Sequence, residues 1–180
     1  MKLLPTNALR CVCLLEVLLI AGAHAQSVDE YRVKAAFLYN FAKFVEWPPE
    51  AFQNSSDPIA ICTLGYSPYH RGLEEAVRGK TIGGRALVVR QVSDVEQASA
   101  CQILFVNASE RKRAAKILPE LKATGVLTVG ETEGFAAEGG VINFKTDDGQ
   151  VRLEVNVAAA ERARLRISSK LLNLAQIVRR

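Results

Sequence analysis

Few residues of this chain are of the types that enzymes use as nucleophiles, bases or metal ligands. The 180 residues include two histidines, and His70 alone lies outside the export signal predicted below. A Ser–His–Asp arrangement would depend on His70, and no serine stands in the G-x-S-x-G pattern that exposes a nucleophile on a sharp turn. We expect His70 to lie on a solvated helix face. The inventory therefore predicts a protein that is not an enzyme.

Glycine pairs and adjacent carboxylates offer no clearer site. "TIGGRA" and "EGGV" lack the spacings of phosphate-binding loops and are typical of turns before strands. Asp147 and Asp148 are adjacent on a predicted hairpin tip, where neighbouring side chains point apart. With one histidine, two distant cysteines and no carboxylate cluster, the sequence predicts neither a metal site nor a cofactor.

The first 25 residues have the organisation of a secretory signal peptide. Lys2 and Arg10 precede an apolar stretch, "CVCLLEVLLIA". The residues "AHA" before Gln26 fit the small-x-small pattern of a signal-peptide cleavage site. An uncleaved anchor is the alternative, but an apolar run of about 11 residues is short for a bilayer that needs about 20. We predict cleavage near Ala25, export to the periplasm, and one domain over residues 26–180.

Two cysteines, Cys62 and Cys101, remain after that cleavage. In an oxidising compartment such a pair favours a disulfide over a metal site. Two buried free thiols are the alternative, because sequence alone does not show whether the Cα atoms lie within bridging distance.

The charge pattern argues against nucleic acid as a partner. The formal net charge is +4, without the concentrated basic stripe of nucleic-acid-binding proteins. Basic residues gather at 110–116 and near the end of the chain, where Arg162, Arg166 and Lys170 are candidates for a binding surface. They indicate either a solvated helix face or a surface for an acidic partner, an anionic small ligand or lipid headgroups.

Apolar runs bounded by turn residues predict strands buried on both faces over residues 59–64, 101–107 and 126–130. A further strand is predicted over residues 85–92, after the glycines at 83–84, and a hairpin with Asp148-Gly149 at its turn follows the last buried strand. Helices are predicted at 28–46, 67–80 and 109–125, the last broken at Pro119, with one further helical turn within 131–140. The end of the chain is predicted as helix in two segments around 166–168. This order predicts a three-layer α/β sandwich, with a mixed, mostly parallel central sheet of five to six strands flanked by helices and a late antiparallel hairpin.

One lysine conflicts with the amphipathic pattern of the first helix. At helical spacing, Phe37, Phe41 and neighbouring apolar residues form a wide arc that suits packing on a sheet. Lys34 projects into that arc. It is either a first-turn lysine whose stem reaches past the rim of the core, or a charge held at the mouth of a pocket or interface. In the last helix, Leu171, Leu174, Ala175 and Val178 are expected to face the core.

Several blocks resemble the YfiR family of exported bacterial proteins. They are "VKAAFLYNFAKFVEWP", "ICTLG", "GGRALVVR", "CQILFV", "LTVGE…FAAEGGVINF" and "EVNVAAAERARLRISSKLLNLA", which together span nearly all of residues 30–176. The resemblance implies a periplasmic repressor that binds the sensor portion of an inner-membrane diguanylate cyclase, so that cyclic-di-GMP and biofilm formation stay low. It further implies a homodimer and an outer-membrane lipoprotein that sequesters the repressor.

The resemblance also bears on the cysteines. Cys62 and Cys101 fall where family members commonly carry a cysteine pair on the first and third strands, which implies a disulfide between them. Gln102 stands where many relatives have histidine, and residues 138–156 lack the second cysteine pair of some relatives. The roles of that histidine and that second pair therefore do not transfer to this chain.

A receptor for a small ligand, feeding a sensor kinase or a transporter, is the alternative function. Ligands of α/β sheets bind at the carboxyl ends of the strands. In this chain such a pocket would lie near Gly65, Asn107 and Gly130.

Overall fold

The fold is seen in a computed structural model that describes residues 30–67, 70–147 and 149–179. Its larger sheet has eight strands: β2 (Ile59–Leu64), β3 (Thr81–Ile82), β4 (Arg85–Val92), β5 (Ile103–Val106), β6 (Leu127–Gly130), β7 (Ile142–Asp147), β8 (Gln150–Asn156) and β10 (Ala175–Val178). A small second sheet pairs β1 (Val45–Glu46) with β9 (Arg166–Ile167). The predicted signal peptide over residues 1–25 lies outside the described residues.

Six helices flank the sheet within the described part of the chain. They are α1 (residues 30–44), α2 (His70–Val77), α3 (Val95–Ser99), α4 (Arg111–Ile117), α5 (Val157–Arg162) and α6 (Ser169–Leu172). Short 3-10 turns cover Pro49–Ala51 and Ala108–Glu110. The architecture is the predicted three-layer sandwich.

The sheet is mixed, with a parallel block at its centre. Its strand order is β10-β8-β7-β6-β5-β2-β4-β3. All neighbours from β7 to β4 are parallel, as are β10 and β8, whereas β7–β8 and β3–β4 are antiparallel. The prediction of a mostly parallel sheet with a late antiparallel hairpin is confirmed. The sheet has more strands than the five to six expected, because short edge strands were not recognised.

Two hydrophobic clusters lie on opposite faces of this sheet. Alternate residues of β2 belong to different clusters. Ile59 and Ile61 pack with α1, α2 and α5. Ala60, Cys62 and Leu64 pack with α3 and α4 on the other face. All six residues of β2 are buried. This burial explains the continuous apolar run, since a parallel strand covered on both faces has no solvent side.

Helix α1 lays its predicted apolar arc on the sheet. Leu38 and Phe41 are buried, and the Phe41 ring stacks on Phe144 of β7 with centroids 5.8 Å apart. The helix ends at residue 44, slightly before the predicted end, because Val45 and Glu46 pair with β9. Just after this pairing, the indole Nε1 of Trp47 donates to the carbonyl of Gln102 at 3.1 Å.

The middle of the chain agrees with the prediction in one place and departs from it in two. Helix α4 ends at Ile117, two residues before Pro119, and turns follow, in agreement with the expected break. Residues 131–140 form hydrogen-bonded turns and no regular helix, with one helix-like bond from the Glu138 amide to the Gly134 carbonyl at 2.8 Å. Helix α3 was not predicted; its N-cap is Asp94, whose carboxylate accepts from the Gln97 amide at 2.9 Å.

The prediction of a helical chain end is wrong in its second half. Helix α6 stops at Leu172, and Ala175–Val178 form β10, which pairs in parallel with β8. Leu171 is buried as expected, but Leu174 is 69% exposed. Apolar residues at 171, 174, 175 and 178 are compatible with a helix as well as with a strand. The strand forms because the edge of β8 supplies backbone hydrogen-bond partners.

Candidate functional site

An ion-pair cluster at the carboxyl end of β6 ties three segments together. Lys34 of α1 places its ammonium 2.8 Å from Glu131 Oε2 and 2.6 Å from Glu30 Oε1. Glu131 directly follows β6, and its other oxygen accepts from the amide of Ala108, after β5, at 3.0 Å. Thr146 of β7 donates to Glu30 at 3.2 Å. The cluster therefore fixes α1 over the edge where the parallel strands end.

Burial and hydrogen bonding act in opposite directions on these charges. Burial disfavours the ammonium of Lys34, but its hydrogen bonds to Glu131 and Glu30 outweigh that cost and raise its pKa above the ordinary lysine value. The hydrogen bond from Lys34 lowers the pKa of Glu30, against a smaller opposing effect of burial. Lys34 is therefore held in its charged form inside the protein.

The position of Lys34 explains the conflict in the amphipathic pattern. Its side chain is 7% exposed, so the ammonium does not reach solvent past the rim of the core. The Phe144 ring lies 6.0 Å from the ammonium on the apolar side. The partner that makes burial possible, Glu131, is 97 residues away in sequence and could be found only by knowing where β6 ends.

Cys62 and Cys101 form a disulfide, with Cα atoms 6.1 Å apart. Cys62 lies within β2, and Cys101 stands two residues before β5, the neighbouring strand. Both residues are buried. The bond therefore crosslinks two adjacent central strands, and the alternative of free thiols is wrong.

The candidate residues Arg162, Arg166 and Lys170 are exposed at the end of the chain. Arg162 ends α5, Arg166 opens β9 and Lys170 lies in α6. Arg166 pairs weakly with exposed Glu46 at 3.8 Å. Lys34, the fourth candidate, is buried in its own ion-pair cluster and does not present its charge on the same surface.

His70 has polar neighbours on both sides. Its Nδ1 lies 3.3 Å from the hydroxyl of Thr63, and its Nε2 lies 3.4 Å from Glu74. Thr63 is fully buried, so a substrate could not reach its hydroxyl. The side chain of His70 is 29% exposed, less than the solvated position expected for it. The contacts hold α2 against β2.

Among the described residues, no group of three or more His, Cys, Asp or Glu side chains is placed to hold a metal ion. No helix in this part of the chain is both long and apolar enough to cross a membrane.

The family model of the YfiR/HmsC-like proteins, DUF4154, matches residues 31–176. The chain belongs to the YfiR/HmsC-like family. Proteins of this family are periplasmic regulators of diguanylate cyclase signalling rather than enzymes, and the Cys62–Cys101 disulfide fits an exported protein. No curated protein matches the chain.

Two solved structures align with the chain at low sequence identity. A conserved domain protein from Vibrio cholerae aligns with a TM-score of 0.51 and 12% identity over 68% of this chain and 55% of its own. The ABC domain of a Streptococcus pneumonia protein, solved in complex with L-Trp, aligns with a TM-score of 0.46 and 11% identity over 72% of this chain and 57% of its own. The chain thus spans little more than half the length of either, and the first supports the α/β fold alone.

Proposed function

We propose that the protein is an exported periplasmic repressor. It binds the periplasmic sensor portion of an inner-membrane diguanylate cyclase and holds the enzyme inactive, which keeps cyclic-di-GMP and biofilm formation low. The observation that carries this proposal is the match to the YfiR/HmsC-like family over residues 31–176. The buried disulfide between β2 and β5 supports it, since that bond persists in the periplasm.

The exposed basic residues Arg162, Arg166 and Lys170 support a docking surface for the cyclase. They follow one another along α5, β9 and α6, and we assign them to contacts with acidic side chains of the partner. Charge complementarity of this kind speeds association and selects partners more than it adds affinity.

Repression requires that the protein distinguish two states of the cyclase. A bound protein shifts an equilibrium only by the difference in its affinity for the two states. The repressor therefore binds the inactive arrangement of the sensor portion more tightly than the active one.

A cellular experiment tests the proposal. Deleting the gene while leaving the cyclase gene intact is expected to raise cellular cyclic-di-GMP and biofilm, and a catalytically inactive cyclase in the same strain should cancel the rise. Unchanged cyclic-di-GMP after the deletion would contradict the function.

A binding experiment tests the assigned surface. Reversing three charges, Arg162→Glu, Arg166→Glu and Lys170→Glu, is expected to slow association with the purified sensor portion in surface plasmon resonance. A matched control reverses three other exposed charges outside both basic clusters, Arg71→Glu, Arg78→Glu and Arg90→Glu. Equal loss in both triple variants would show a general effect of charge, and the assignment to the end of the chain would then be wrong.

Three further parts of the proposal need separate measurements. Mass spectrometry of periplasmic protein is expected to show a chain that begins near Gln26. Analytical ultracentrifugation is expected to show a homodimer. Co-purification from outer membranes is expected to recover a lipoprotein that competes with the cyclase for the repressor.

A further inference from the structure

A cavity of about 470 Å³ opens beside the ion-pair cluster, lined by residues that follow β6 and by residues of β7 and β8. Three carboxylates line it, those of Glu131, Glu133 and Glu154, against one ammonium, that of Lys145. Lys145 is exposed, so its long side chain can extend into solvent. The lining therefore has an excess of negative charge.

The wall of this cavity contains a buried acceptor without a donor. Asn143 lies in the cavity wall and is 2% exposed. Its Nδ2 donates to Glu154 Oε2 at 3.0 Å, and the two residues are directly opposite each other on β7 and β8. Its Oδ1 is buried and has no hydrogen-bond partner among the described residues. Buried polar atoms are normally paired, so an orphan in a cavity wall calls for a ligand that donates.

The three carboxylates differ in how many ion-pair and hydrogen-bond partners they already have within the protein. Glu131 is neutralised by Lys34 and also accepts from Ala108. Glu154 receives the amide of Asn143 on one oxygen, which orients the carboxylate without neutralising it. Glu133 is exposed at the rim. Two negative charges thus remain available next to the unpaired amide oxygen.

We propose that this cavity binds a small organic cation that carries N–H donors, a primary ammonium or a guanidinium. The cation lies between Glu133 and Glu154 and donates to Asn143 Oδ1. An ammonium with three donors or a guanidinium with five meets both requirements, charge and hydrogen bonding, at once. Among the described residues, no three His, Cys, Asp or Glu side chains are grouped to hold a metal ion.

This inference does not depend on the proposed function. A pocket for a small ligand near Gly130, at the carboxyl ends of the strands, was the alternative considered from sequence. Glu131, one residue on, gives the cavity found there an acidic wall.

Calorimetry with small amines tests the proposal. Putrescine and agmatine are expected to bind to the purified protein, whereas tetramethylammonium, a cation without N–H donors, binds at least about tenfold more weakly, as expected for losing hydrogen bonds to charged groups. In amide NMR spectra, the Asn143 side-chain signals, assigned by their loss in Asn143→Asp, should move with putrescine and stay in place with tetramethylammonium.

A matched pair of double variants locates the site. Glu133→Gln with Glu154→Gln is expected to weaken putrescine binding by about tenfold or more, because two charged acceptors are lost. Glu96→Gln with Glu120→Gln removes two exposed carboxylates outside the cavity and should leave binding unchanged. Absence of heat and of NMR shifts with both amines, equal binding of tetramethylammonium, or equal weakening in both double variants would each overturn the proposal.

Discussion

Lys34 and Glu131 form an ion pair of 2.8 Å with both side chains 7% exposed. The pair joins the first described helix to the residue that follows β6. Each charge is buried, so each depends on the other for compensation. The apolar face of α1 thus carries a single charge that positions the helix on the sheet.

Replacing the lysine alone is expected to destabilise the fold strongly. Lys34→Met leaves Glu131 buried without its countercharge, and breaking a buried pair by removing one partner costs about 3–5 kcal/mol. The free energy of unfolding, measured by urea denaturation, should fall by about that amount.

The double variant Lys34→Met with Glu131→Leu separates burial of the charge from packing. Replacing both members of a buried pair by apolar residues is often close to neutral. The double variant should therefore be more stable than Lys34→Met alone, although the amide of Ala108 loses an acceptor. Arg32→Met, an exposed change on the same helix, is the control. A double variant less stable than Lys34→Met would contradict the buried-pair account.

The same cluster predicts how stability depends on pH. The pKa of Glu30 is lowered by folding, so its contribution is present above its unfolded pKa and is lost as the pH falls through the folded value. The pKa of Lys34 is raised, so its contribution is present below its unfolded pKa and is lost as the pH rises through the folded value. We expect a stability plateau between about pH 5 and 10, with declines on either side.

Urea midpoints measured across this pH range, in the wild type and in Lys34→Met, test the assignment. The variant lacks the titrating lysine, so the difference between the two proteins should shrink above about pH 10.5. A difference that stays constant up to the most alkaline pH would show that the lysine does not contribute through its charge.

The sequence predicted the central sheet well because apolar runs mark the strands at its centre. The 59–64 run coincides with β2, all of whose residues are buried, and the 85–92 run coincides with β4, in which only Leu87 and Val92 are buried. Short edge strands have no such signature. β10 was mistaken for helix because four residues with apolar positions compatible with both periods do not discriminate between them.

The candidate site was less predictable, since it depends on contacts between distant segments. Lys34 was recognised as an anomaly within its helix, but its partner Glu131 was not. Nothing in the local sequence distinguishes Asn143 and Glu154 from other strand residues, because only the register of the β7–β8 hairpin places them opposite each other. A local pattern can therefore reveal a misplaced charge, whereas tertiary structure identifies what compensates it.

Gln102, which stands where relatives often have histidine, is expected to be a structural residue. It is buried; its Oε1 accepts from the Ala60 amide at 2.8 Å, and its Nε2 donates to the Ala51 carbonyl at 2.7 Å. Gln102→Ala leaves the buried Ala60 amide without that acceptor, which costs about 1–3 kcal/mol in unfolding free energy. Thermal denaturation should show the loss, and Gln91→Ala, an exposed change on β4, should not. Equal stability of both variants would exclude this bridging role.

The Cys62–Cys101 disulfide is expected to contribute substantially to stability. The two residues are 39 positions apart, and closing a loop of that length lowers the entropy of the unfolded chain by an amount worth about 4 kcal/mol. Cys62→Ala with Cys101→Ala should therefore lower the urea midpoint, and reduction of the wild type before unfolding should lower it similarly. Because the double variant lacks both sulfur atoms of the bond, adding reductant to it should have no further effect.

Non-reducing mass spectrometry of periplasmic protein provides the accompanying check on the bond itself. It should recover a peptide pair that contains both cysteines, and alkylation before reduction should label neither. Two alkylated thiols in the folded, exported protein would contradict the disulfide and, with it, the stability difference predicted between the wild type and the double variant.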